Sequence, residues 1–131
     1  PYSGVISIFV DRLLMKKSIT INGGHQTRDF IYVDDIVRSI YQSLNLTIEN
    51  KICEQINVLS GSSISIDKLA DILIEEIEVE VEKIYKELPI GDPEQSNGTT
   101  NKMISMFGSS DATILMIGLK ETIKFIRSKG M

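Results

Sequence analysis

Stretches of helical apolar spacing that alternate with short β-type runs constrain the fold of this chain most. The clearest stretch follows Ser65, where an almost unbroken apolar stripe covers one side of a helix as far as Ile77. A serine before such a stripe is a typical N-cap, because its hydroxyl accepts from the free backbone N–H groups of the first turn. A helix of this kind has to bury one face. The chain is therefore predicted to be an α/β protein in which helices pack on short strands.

The same periodicities predict the other elements. Helices are expected at residues 5 to 14, 34 to 44, 66 to 77, 101 to 107 and 112 to 129. Strands are expected at residues 18 to 22, 29 to 33, 81 to 85 and, as a buried strand, 55 to 59. Asp34 is the predicted N-cap of the second helix, whereas Gly108 and Gly130 are expected to close the last two. The pair Gly23-Gly24, the run 60 to 63 and the Pro- and Gly-containing stretch 88 to 100 are predicted turns or loops.

Length and charge exclude several function classes. The 131 residues are enough for one domain with its own core, and no run of about 18 apolar residues indicates a membrane span. The formal net charge is −4 and the basic residues are scattered, so neither nucleic acid nor a membrane is an expected partner. Cys53 is the single cysteine and is predicted to be a small buried hydrophobe. The cytoplasm is the expected compartment.

The sequence contains little catalytic chemistry. His25 is the only histidine, which excludes a histidine metal cluster, and no glycine pattern for a dinucleotide or triphosphate is present. The acidic pair Asp34-Asp35 is explained by helix capping rather than catalysis. No catalytic residue and no metal ligand are predicted.

The remaining polar residues of the loops suit an anionic ligand. Arg28 presents a planar fork that matches two phosphate oxygens, although an arginine between a loop and a strand is also typical of a solvated charge. Asp29 is predicted to accept hydrogen bonds from its own loop and hold it in shape. Asp92 lies in a Pro-rich turn, where its carboxylate could accept from sugar hydroxyls.

Taken together, the motifs resemble a known family. The run TRDFIYVDDIV is similar to the R-D-[FY]-[IV]-[YH]-V-x-D signature of the NAD-dependent epimerase/dehydratases, which are extended short-chain dehydrogenases such as the UDP-glucose 4-epimerases. Further similar stretches follow in the family's order: PYSGVISIFVDRLL, ITINGG, INVLSG, GDPEQS with NKMISMFG, and GLKETIKFIRSKG. Each piece alone is weak evidence, but their order covers nearly the whole chain.

The resemblance implies a C-terminal, substrate-binding portion at residues 1 to 131, an α+β fragment from which the Rossmann nucleotide-binding half is absent. The family's G-x-x-G-x-x-G turn and Y-x-x-x-K pair do not occur in this sequence. The parent enzyme is expected to use NAD as cofactor, with no NAD site in this chain. The implied function is the substrate-binding part of a UDP-sugar 4-epimerase-like enzyme, inactive alone.

Five substrate-binding residues are carried over from the resemblance. Arg28 is expected to bind the diphosphate of a UDP-sugar, and Thr20 and Asn22 to meet the uracil largely through backbone groups. Asp92 matches the acidic residue of the family's R-x-x-G-D motif, which meets the ribose. Ser96 is expected to line the ligand. The motif's arginine falls on Pro89, so one phosphate contact is missing or comes from a different residue.

Two alternatives stay open at this point. The chain is also consistent with a non-catalytic binding or assembly module, and the family includes nucleotide-sugar dehydratases and reductases. Because INVLS resembles an edge strand of the parent sheet, a homo-oligomer that is edge-paired or domain-swapped is also predicted.

Overall fold

The computed structural model describes residues 4–50, 53–108 and 111–129, with side chains of residues 49 and 50 left aside. Within these ranges, five helices alternate with five short strands. The helices are α1 Val5–Leu14, α2 Val33–Asn50, α3 Ile66–Ile77, α4 Asn101–Phe107 and α5 Leu115–Ser128. The strands are β1 Ile19–Asn22, β2 Thr27–Asp29, β3 Ser63–Ser65, β4 Lys83–Lys86 and β5 Gln95–Ser96. No helix in the described ranges is long and apolar enough to cross a membrane.

The strands form two small sheets. β1 pairs in parallel with β4, so that Ile19 lies opposite Lys83 and Asn22 opposite Lys86. β2 is the centre of the other sheet, antiparallel to β3 and parallel to β5. This arrangement confirms the predicted class of helices packed on short strands.

The core lies between α1, α3, α5 and the inner face of β1. Burying apolar side chains here is the main stabilising contribution, at roughly 25 cal/mol per Å² of apolar surface removed from water. The cluster of buried residues consists of Phe9, Val10, Leu13, Ile19, Ile21, Ile66, Leu69, Ala70, Leu73, Leu119 and Ile123.

The capping of α3 is confirmed. Ser65 Oγ accepts from the backbone N–H of Lys68 at 3.2 Å, which satisfies one of the free donors of the first turn. The helix ends at Glu78 in the left-handed conformation, with φ 56°. Thus the polar cap and the apolar stripe specify the same helix.

The predicted boundary between β2 and α2 is wrong. β2 ends at Asp29, and α2 already begins at Val33, so the aromatic run between them is not a strand. Tyr32 lies against Gly118 of α5, where an added Cβ would meet the tyrosine ring at 3.1 Å. The aromatic side chains thus serve packing between segments rather than strand pairing. Asp34 is a residue of the first turn of α2 and not its N-cap.

α2 is longer than predicted and its apolar face is exposed. The helix continues past residue 44 to Asn50, within the stretch predicted to be a surface connection. Five of its apolar residues are largely solvent-accessible: Val37, Ile40, Tyr41, Leu44 and Ile48. Nothing described in the chain covers this face.

Three other predictions are corrected in the same region and at the C-terminus. Residues 55 to 59 form no strand and are not fully buried, because no neighbouring strand in the described structure pairs with them. Cys53 is exposed rather than buried.

The last helix begins at Leu115 instead of 112, and Gly130, its predicted terminator, lies outside the described residues. Helix α4 and its closing Gly108, with φ 82°, agree with the prediction.

Candidate functional site

A cavity of about 370 Å³ lies between α1, the outer face of β1 and the loop that follows β4. Four of the five predicted binding residues line it. The lining residues are Val5, Ile8, Phe9, Thr20, Asn22, Gln26, Arg28, Ile66 and Asp92. The lining therefore combines apolar side chains with a hydroxyl, two amides, a guanidinium and a carboxylate. Such a combination is typical of pockets that bind small polar ligands.

Arg28 is held by backbone carbonyls and not by a carboxylate. Its Nη1 donates to Thr27 O at 2.8 Å and to Pro93 O at 2.9 Å. Within the described residues, no acidic group lies at ion-pair distance from it. Because a guanidinium has five N–H donors, those of Nη2 and Nε are left for a ligand. A planar fork beside a cavity suits a phosphate.

β2 fixes the direction of this arginine. Arg28 is paired with Ile64 on one side and with Ser96 on the other, so the strand is the centre of its sheet. The parallel pairing with β5 also brings the loop before it, which carries Asp92, to the cavity. Ser96 itself lies beside Arg28 in the ladder and does not line the cavity. Because residues that pair across neighbouring strands project to the same face, Ser96 points to the same side of the sheet as Arg28, and its role beside the ligand stays a prediction.

Asp92 reaches the cavity through a turn. Its backbone N–H donates to Pro89 O at 3.1 Å, which closes the turn on which the carboxylate sits. Pro89 contributes no cation there. Among the described residues that line the cavity, Arg28 is thus the only basic one.

Gln26 is a site residue that sequence reasoning missed. Its side chain is buried, its Nε2 donates to Asn22 O at 2.5 Å, and its Oε1 accepts from Gly24 N at 2.6 Å. These bonds close the turn of Gly23 and Gly24, whose φ values are 72° and 103°. A Cβ on Gly23 would approach Gln26 Oε1 to 2.8 Å. An amide side chain two residues after a glycine pair is the sequence signal that could have identified it, because side-chain hydrogen bonds to nearby backbone groups are typical of turns.

Asp29 stabilises a neighbouring loop rather than its own. Oδ1 accepts from Ser60 N at 2.8 Å and Oδ2 accepts from Gly61 N at 2.9 Å. Both oxygens therefore connect β2 to the turn before β3. Because both carboxylate oxygens accept these backbone hydrogen bonds, Asp29 does not form an ion pair with Arg28, its neighbour in sequence.

The described residues contain no cluster of side chains that could hold a metal ion. No group of three or more metal-binding side chains occurs in residues 4–50, 53–108 and 111–129. His25 is exposed and does not line the cavity. The site therefore has the chemistry to bind a ligand.

Comparison with known proteins shows what the chain is similar to. The model of the NAD dependent epimerase/dehydratase family matches residues 2–58. A protein of Methanocaldococcus jannaschii, named "Putative UDP-glucose 4-epimerase", is 42% identical over 84 residues, which are 63% of this chain and 26% of that protein. Both matches show that part of this chain is similar to the NAD-dependent epimerase/dehydratases. The resemblance of its motifs is confirmed.

Solved structures agree over nearly the whole chain. The UDP-glucose 4-epimerase of Thermotoga maritima, solved with UDP-glucose, matches 98% of this chain and 41% of its own at 29% identity, with a TM-score of 0.89. The UDP-glucuronic acid 4-epimerase of Bacillus cereus, solved with UDP-glucuronic acid and NAD, matches 97% and 40% at 27% identity, with a TM-score of 0.88. The chain thus spans about a quarter of the curated relative and two fifths of the solved chains.

Proposed function

We propose that residues 1 to 131 form the portion of a UDP-sugar 4-epimerase-like enzyme that binds the nucleotide-sugar. One observation carries this proposal: Thr20, Asn22, Arg28 and Asp92, which are far apart in the chain, line one cavity. The similarity to epimerases solved with UDP-sugars supports the choice of ligand.

Each wall of the cavity suits one part of such a ligand. The apolar side chains of Val5, Ile8 and Phe9 offer a surface for the flat base. Thr20 and Asn22, at the edge of β1, meet the uracil. Opposite them, Arg28 binds the diphosphate and Asp92 accepts from the ribose hydroxyls.

The redox chemistry of the family is assigned to a part other than this chain. NAD accepts and returns a hydride when it is bound in such enzymes. Two observations support this assignment: no strand in the described structure leads through a glycine-rich turn into a helix, and the sequence has no Y-x-x-x-K pair. The chain alone is proposed to bind substrate without converting it. A role in a nucleotide-sugar dehydratase or reductase is the alternative within the same family.

Calorimetric titration with UDP and UDP-glucose tests the binding role. Both ligands are expected to release heat at millimolar concentration or below, and Arg28→Ala is expected to weaken binding roughly 10- to 100-fold. Arg127→Ala is the matched control, because Arg127 is exposed at the end of α5, away from the cavity. Absence of binding by the unmodified chain, or equal loss in both variants, would contradict the proposal.

A specific observation also favours an assembly role. The chain exposes 8928 Å², whereas a compact monomer of 14.7 kDa exposes about 6,900 Å². The excess of about 2,000 Å² is in the range of a stable interface. We propose self-association through the apolar face of α2, in which Ile40 and Leu44 are 63% and 55% exposed. A monodisperse monomer in light scattering would be inconsistent with it.

A further inference from the structure

The pairing of β1 with β4 places a lysine on the cavity side of this sheet. In the parallel register, Thr20 lies opposite Ile84 and Asn22 lies opposite Lys86. Residues that pair across neighbouring strands project to the same face of a sheet. Because Thr20 and Asn22 line the cavity, Lys86 projects toward the same side at the end of its strand, next to the lining residues and not among them.

The opposite face of β4 gives an independent check of this direction. Lys83 Nζ lies 3.0 Å from Asp67 Oδ1 and 2.7 Å from Asp71 Oδ1, and both aspartates belong to α3. Tyr85 Oη donates to Asp67 Oδ1 at 2.5 Å. The odd-numbered residues of β4 thus face α3. Since side chains alternate along a strand, Lys86 faces away from α3.

The ammonium group of Lys86 can interact with a ligand. The residue is exposed, and among the described residues no carboxylate lies at ion-pair distance from it. Its backbone is fixed at the glycine turn, because Gly23 N donates to Lys86 O at 2.8 Å. A four-carbon stem on this fixed backbone carries a compact ammonium with three donors.

The proposed ligand needs such a charge. A diphosphate diester carries about two negative charges near neutral pH, while the cavity lining contributes one guanidinium and the carboxylate of Asp92. We infer that Lys86 supplies the second positive charge for the diphosphate, so that it and Arg28 neutralise the two phosphates together. This inference rests on the proposed binding of a UDP-sugar.

The test compares UDP with uridine, which has the same base and ribose but no phosphate. Lys86→Met keeps most of the side-chain volume and removes the charge. It is expected to weaken UDP binding about two- to fivefold at low salt, because an exposed charge contributes modestly. Uridine binding is expected to stay unchanged. The salt dependence of UDP binding should become shallower, since screening acts on the charge that was removed. Lys86→Arg, which retains the charge, should bind UDP like the unmodified chain.

Lys68→Met is the control, since Lys68 is exposed on α3, away from the cavity. Unchanged UDP binding in Lys86→Met, together with loss in Arg28→Ala, would overturn the inference and leave the proposed function standing. Equal weakening for UDP and uridine would overturn it as well, because Lys86 would then act on the base or on the fold. Absence of UDP binding by the unmodified chain would overturn the proposed function and this inference together.

Discussion

Asp35 is expected to be one of the most important polar side chains for stability in this chain. It is 3% exposed, and its oxygens accept from Thr113 N at 2.8 Å, Thr113 Oγ1 at 3.0 Å and Arg38 Nη2 at 2.6 Å. These bonds attach the start of α2 to the segment that leads into α5. Asp35→Ala removes all three at once.

The stability lost in Asp35→Ala is estimated from the type of each hydrogen bond. Hydrogen bonds to a buried charged acceptor contribute at least about 1.5 kcal/mol each, which gives about 3 kcal/mol for the two from Thr113. The ion pair adds less than about 1 kcal/mol, because the Arg38 side chain is 49% exposed. We therefore expect Asp35→Ala to lower the free energy of unfolding by about 3 to 4 kcal/mol.

Urea unfolding followed by circular dichroism measures this difference. With a slope of about 2 kcal/mol per M, the midpoint should fall by roughly 1.5 to 2 M. Asp34→Ala is the internal control, because its neighbouring carboxylate is exposed and contributes only through the helix dipole, at about 0.3 to 1 kcal/mol. The reasoning is refuted if Asp35→Ala lies within 1 kcal/mol of the unmodified chain, or if Asp34→Ala costs as much.

Three other expectations concern acid stability, assembly and affinity. Hydrogen bonds from Tyr85 and from Lys83 hold the pKa of Asp67 below its ordinary value. Their contribution, about 1 kcal/mol or less at this exposed position, is present above about pH 4 and lost as pH falls through the lowered pKa. Acid titration of Asp67→Asn should consequently show a shallower loss of stability. Leu44→Lys, on the exposed face of α2, should shift light scattering from oligomer to monomer, whereas an unchanged mass would exclude this face. Pro89→Arg, which restores the arginine of the family motif, should tighten UDP binding about two- to fivefold by calorimetry, and weaker binding would show that the turn needs its proline.

The sequence predicted the elements whose signals are local. Periodicity located α1, α3 and α4 within about a residue, because an amphipathic helix is specified by its own spacing and caps. The order of the motifs indicated the similarity to the NAD-dependent epimerase/dehydratases, which the comparisons also find. It also selected Arg28 and Asp92 before their positions in space were visible.

Elements that depend on distant partners were predicted less well. The run 55 to 59 has strand-like composition, but a strand needs a neighbour, and none of the described strands pairs with it. Likewise, aromatic residues after Asp29 suggested a strand, whereas Tyr32 packs on Gly118 of α5. In both cases tertiary contacts overrode local propensity.

The sequence by itself determined which chemistry is present: one arginine in a motif that resembles the epimerases, an acidic turn, and no Y-x-x-x-K pair. Only the tertiary structure decided that Thr20, Asn22, Arg28 and Asp92 share a cavity, that Ser96 does not, and that Gln26 closes the turn beside them. The physical reason is that strand pairing sets these neighbours. β1 with β4 and β2 with β5 join segments far apart in the chain, and no periodicity within one segment specifies such a register.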